Sequence, residues 1–196
     1  MSRLNSAGSS LTDTVSIKPA VKLDGGQIPT WKFPEMSAET FKAGEMVCLS
    51  GAAATRTGVT VPPTDASGYG IIGFAAEDAL GAISSFRAIY IATPETIFVG
   101  NMWHSTSASA QSAASDLGKT FGLTTVSGAS TIGGTKTFID KAKTAVSTVM
   151  VRVVGLYEQD THPSFYGRAY FTVLQTANQL YNTKTWNTSS QADLLV

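Results

Sequence analysis

Two histidines and a single cysteine bound the chemistry this chain could perform. In DTHPSF, His162 lies between Asp160 and Ser164, so an acid, a base and a hydroxyl sit close together. These are the residue types of an activated serine nucleophile, but a triad works only when its members converge on a substrate from separate elements. Neighbours at i, i+2 and i+4 before a proline enclose nothing. Pro163 biases His162 towards extended backbone, and the segment reads as a polar turn. A small hydrolase using Ser164 and His162, or Ser105 and His104, is a rival reading. Neither histidine has a second His or Cys at metal-ligand spacing, and Cys48 alone builds neither a disulfide nor a cysteine-rich zinc site. The adjacent acids Glu77 and Asp78 follow an apolar run, GIIGFAA. Adjacent strand residues point to opposite faces, so the two cannot share a proton or flank one bond, and they read as the place where a strand leaves the core. DASGYG and STIGGTK carry glycines without the spacing of a phosphate-binding loop and read as turns. No catalytic residue, metal or cofactor is expected.

Composition narrows the partners. Only 14% of the 196 residues are charged, against 43% hydrophobic, and Lys plus Arg equals Asp plus Glu at 14 each. The balance lacks the basic footprint of a nucleic-acid reader. So few charges are also unusual for a lone soluble monomer, which implies that much of the surface meets other protein. With no run of eighteen apolar residues and no h-region in MSRLNSAGSSLTDTVS, neither a membrane span nor a signal peptide is expected.

Short β-prone runs divided by glycine turns predict a mainly β protein, a single antiparallel β-barrel or sandwich with extended N- and C-terminal arms. We place the N-terminal arm at 1–35, the barrel at 36–175 and the C-terminal arm at 176–196. Within the barrel, ETFKAGEMVCLSG, TRTGVTVPP and GIIGFAA read as strands. SFRAIYIATP and ETIFVGNMW read as a hairpin turning at Pro94 and Glu95. STSASAQSAASDLG reads as a short helix or a loop. AVSTVMVRVVGLY reads as a strand buried on both faces, and GRAYFTVLQ closes the set. VSIKPAVKL alternates, but Pro19 confines it to an edge or to an arm laid on a neighbour. Isolated large side chains on these end segments stay in contact with water at a cost unless they dock, so Trp31, Phe33, Leu180, Tyr181, Trp186, Leu194 and Leu195 are the candidate partner-binding residues.

FKAGEMVCLSG, GIIGFAAEDALG, DLGKTFGL and VMVRVVGLY, taken in that order from Phe41 to Leu174, resemble the head decoration, or cement, proteins of tailed bacteriophages. The resemblance implies a small β-barrel on the outer surface of the virion capsid. It would bridge neighbouring major capsid proteins and contact copies of itself in a dimer or trimer, with no catalytic residues to carry over. The STSASAQSAASD segment and the long C-terminal tail depart from a minimal member of that family. The alternative is a carbohydrate- or ligand-binding barrel of a virion appendage, a tail or spike.

Overall fold

The computed structural model describes residues 15–36, 39–50, 58–60, 70–82, 84–128, 134–158, 160 and 163–180. The protein is mainly β, with strands β1 (Lys18–Lys22), β2 (Thr30–Pro34), β3 (Met46–Ser50), β4 (Gly58–Thr60), β5 (Gly73–Ala75), β6 (Phe86–Ile91) and β7 (Thr96–Trp103). Then come β8 (Gln111–Ser112), β9 (Thr120–Gly128), β10 (Gly134–Asp140), β11 (Val151–Leu156), β12 (Ser164–Phe165) and β13 (Arg168–Val173).

Five of them, β7, β10, β9, β11 and β13, close into a barrel, because β13 pairs back onto β7 from Arg168 opposite Asn101 to Phe171 opposite Phe98. Closure removes the unpaired edges that β-rich chains otherwise expose. All these pairings are antiparallel except the short contact of Ile139 and Asp140 with Met102 and Trp103. β1 extends the barrel beside β7 as an edge strand. A second sheet runs β2-β6-β5-β3-β4, and a bridge from Glu35 to Val59 curls its two ends towards each other.

The two sheets share strands between two cores through the period of two in a pleated strand. Met46, Ile71 and Phe74 point into the barrel-side core with Phe98, Leu123, Val153 and Phe171. Their neighbours Val47, Ile72 and Ala75 point into the second core with Phe41, Val59, Ile89 and Ile91. Strands buried on both faces read as unbroken apolar runs, which is why GIIGFAA carries no alternation. The join is aromatic: Phe74 lies 4.8 Å from Phe98 and 5.9 Å from Phe171 between ring centroids. It demands close backbone approach, since a Cβ on Gly73 would stand 1.9 Å from the Tyr90 carbonyl oxygen.

Four expectations change. β6 and β7 form no hairpin: β6 pairs with β2 and β5, β7 with β1, β10 and β13, and the chain crosses between sheets at residues 92–95. Pro94 and Glu95 supply the bend, but burial of Ile89 and Ile91 in one core and Phe98 in the other sends the strands to different partners. β11 is buried on one face only, Val151 and Val153 inward, Arg152 and Val154 outward. STSASAQSAASDLG becomes two 3-10 turns, Ser107–Ala110 and Ala114–Asp116, around β8. The end segments contribute to the body: residues 15–34 hold buried Ile17 and two strands, and Ala177 and Asn178 are buried, with Asn178 bridged to Ile71. Apolar contact and ladder hydrogen bonds together fix them there.

Candidate functional site

Of the ionisable side chains singled out by the sequence, those among the described residues are drawn into internal contacts. Asp160, fully buried, accepts hydrogen bonds from the Arg168 backbone amide at 2.7 Å and from its guanidinium Nε at 3.1 Å. A carboxylate held on two sides by one arginine orients that arginine rather than a histidine. Ser164 lies in β12, and His162 lies outside the described residues. His104 is half-buried, and its Nδ1 accepts the Thr106 amide proton at 2.9 Å, a local turn contact.

Glu77 and Asp78 diverge as adjacent residues should. The Glu77 carboxylate accepts the Ala88 amide at 2.8 Å and lies 3.5 Å from Arg87. Asp78 accepts the Ala43 amide at 2.9 Å and the Lys42 ammonium at 3.0 Å, and these two donors hold its carboxyl below the usual range. A third acid, Glu35, is fully buried and accepts the amides of Leu80 at 2.7 Å and Gly81 at 3.0 Å, with Arg87 at 3.4 Å. Together Glu35, Glu77 and Asp78 fasten the loop after β5 to the end of β2, to β6 and to the Lys42–Ala43 segment. The acid pair is a latch.

One acid stays partly unanswered. Glu45, just before β3, is 2% exposed, its Oε1 has no hydrogen-bond partner, and burial pushes its carboxyl up to about 7. Cys48 is also buried, and burial raises its thiol to about 11, so it is no nucleophile at neutral pH. Among the described residues no three His, Cys, Asp or Glu side chains converge to hold a metal, and no helix is long and apolar enough to cross a membrane.

What the described surface does offer is apolar and aromatic. Trp31 is 55% exposed on β2 and leans on half-buried Phe33 at 6.4 Å, so the structure brings this predicted pair together at a sheet edge. Leu180, 37% exposed, ends the described chain; Tyr181, Trp186, Leu194 and Leu195 lie outside the described residues. Sequence reasoning passed over Val21 in β1, Leu23 just after it, Leu80 in the loop after β5 and Phe86 at the start of β6, all exposed. Alternation from buried Ile17 would turn Val21 inward; an irregularity between Pro19 and Val21 turns it out. Phe86 was legible only through its register, opposite Pro34.

A separate cluster crowns the barrel. The Arg168 guanidinium lies 3.9 Å above the Tyr157 ring, Tyr157 stands 5.6 Å from Tyr170, and the Tyr170 hydroxyl donates to Glu158 at 3.2 Å.

No family model matches this chain, and no curated protein or solved structure matches it.

Proposed function

We propose that this protein is a structural component of a virion that binds the outer surface of a phage capsid and stabilises the shell by bridging adjacent major capsid proteins. The reading rests on the resemblance of the FKAGEMVCLSG, GIIGFAAEDALG, DLGKTFGL and VMVRVVGLY segments to phage head decoration proteins. The observation that carries it furthest is the exposed apolar set on the N-terminal strands: Val21, Leu23 and Trp31 are 48%, 66% and 55% exposed at or beside sheet edges. Large apolar side chains left in water beside strand edges are docking features. Each contact would bury apolar surface at about 25 cal/mol per Å² against the entropy of ordering, so one copy binds modestly and many copies on a symmetric lattice bind tightly. Such a clamp would resist the outward pressure of a packed genome.

The test is to mix purified protein with expanded empty capsids and pellet the shells. Stoichiometric cosedimentation is expected; protein left wholly in the supernatant overturns the reading. Tail dependence is checked by deleting residues 181–196, because Asn178 and Gln179 take part in the body's own hydrogen bonds and a deletion from Asn178 would damage the fold. The deletion is expected to weaken pelleting.

A second reading, a carbohydrate-binding barrel of a virion appendage, is favoured by the Tyr157, Arg168 and Tyr170 platform with Glu158 at its margin. Aromatic faces stack on sugar C–H surfaces while a carboxylate accepts hydroxyl protons. Glycan binding lost in Tyr157→Ala, with capsid pelleting absent, would select it.

A further inference from the structure

We propose that β2 is a self-pairing edge, joining two copies of this chain in an antiparallel β2–β2 contact centred on Trp31. The hydrogen-bond parity of β2 carries the inference. Ile91 donates to the Pro29 carbonyl and Glu35 donates to the Ser85 carbonyl, each at 2.9 Å, at the two ends of the β2–β6 ladder. With Trp31 opposite Ile89 and Phe33 opposite Arg87, the backbone groups of residues 29, 31, 33 and 35 face β6. In an antiparallel pair the alternate residues face the other way. The N–H and C=O of Thr30 and Lys32 therefore point out of the sheet, as does Met36, whose amide donates to the Val59 carbonyl at 3.4 Å. Among the described residues no bond is made to the outward backbone groups of Thr30 and Lys32.

That outward pair is self-complementary. A two-fold axis through Trp31 sets Thr30 opposite Lys32 of a second copy and Lys32 opposite its Thr30, both as hydrogen-bonded pairs, which gives four ladder bonds. It sets Trp31 opposite Trp31 as the non-hydrogen-bonded pair, the arrangement that brings side chains closest and rewards aromatic pairing. A shared patch of this kind is what a two-fold interface requires. Its length is limited on one side of Trp31: Pro34 has no N–H for the outward ladder, and Met36 beyond it is already engaged by Val59. Trp31, 55% exposed in the single chain, is the side chain such a contact covers.

This deepens the capsid reading by naming one partner as a second copy, and its test needs no capsid, so the two can fail separately. Sedimentation velocity of the purified full chain, from about 1 to 100 µM, is expected to show a monomer–dimer equilibrium. Lys32→Pro removes an outward N–H from each copy while sparing the ladder to β6, and is expected to weaken dimerisation about thirtyfold with an unchanged unfolding transition. Trp31→Ala, which also leaves the monomer's core alone, should do at least as much. A wild-type chain that stays monomeric over this range overturns the proposal, including the case in which it still pellets with capsids and the edge serves the shell. So does an oligomer whose mass neither variant changes.

Discussion

At the start of β3 a carboxyl is held out of water: Glu45 is 2% exposed with one oxygen unpartnered, and the nearest charges are Lys42 and Asp78. Burial dominates and favours the neutral acid, so the folded chain keeps a proton that the unfolded chain releases. A raised acid pKa makes the native state lose stability as pH climbs from the ordinary value of 4.5 to about 7, with no further loss above. Glu45→Gln removes that penalty. Its stability relative to wild type, read from urea midpoints across the same window, is expected to rise by about 3 kcal/mol on going to the alkaline side. A constant difference between the two proteins would show that Glu45 ionises freely. At this scale the sequence was informative about what each acid is not. Glu77 and Asp78 were legible as a strand exit because adjacent residues diverge, and the structure gives each its own backbone amide. Glu35 and Glu45 were not, because nothing in their neighbours announces that they are buried.

At the scale of elements, β5 is the joint between the two sheets. Gly73 lies against the β6 backbone so closely that no Cβ fits, and the obstacle is a carbonyl oxygen that cannot swing aside. Gly73→Ala is expected to cost about 3 kcal/mol or more by forcing β5 from β6, measured by denaturant unfolding. A cost under ~1 kcal/mol would mean that the ladder relaxes. Strand existence was readable from GIIGFAA and from MVCLS, since apolar β-prone stretches between glycines have few other solutions. Strand partners were not. Pro94 and Glu95 have the local chemistry of a hairpin turn, yet β6 and β7 part there, because pairing depends on which core each strand's inward residues fill. The same holds for β11, whose outward Val154 looks like a core residue until β13 and β9 fix its face.

For the whole molecule, the two cores are one mechanical unit. Phe74 sits on a strand of the second sheet and packs against Phe98 and Phe171 of the barrel, while Val47, Ile72 and Ala75 on the same strands or beside them fill the other core. Loosening either side loosens both. Phe74→Ala is expected to lower stability by about 4 kcal/mol and to leave one unfolding transition by calorimetry; two separated transitions would show cores that melt independently.

The sequence by itself determined the class of the molecule: apolar β runs, frequent glycine turns and a missing amphipathic period leave a mainly β body as the solution, and low balanced charge gives the surface its character. It also singled out Trp31 and Phe33, because proline-flanked aromatics stand out locally. The tertiary structure alone decided that 15–34 contribute two strands to the body, that the end of the sheet curls by Glu35 meeting Val59, and that among the described residues no bond reaches the outward groups at Thr30 and Lys32. The physical reason is range. Propensity and patterning are set within a few residues, whereas sheet partners, burial of a lone acid and an open edge depend on contacts between segments far apart in the chain.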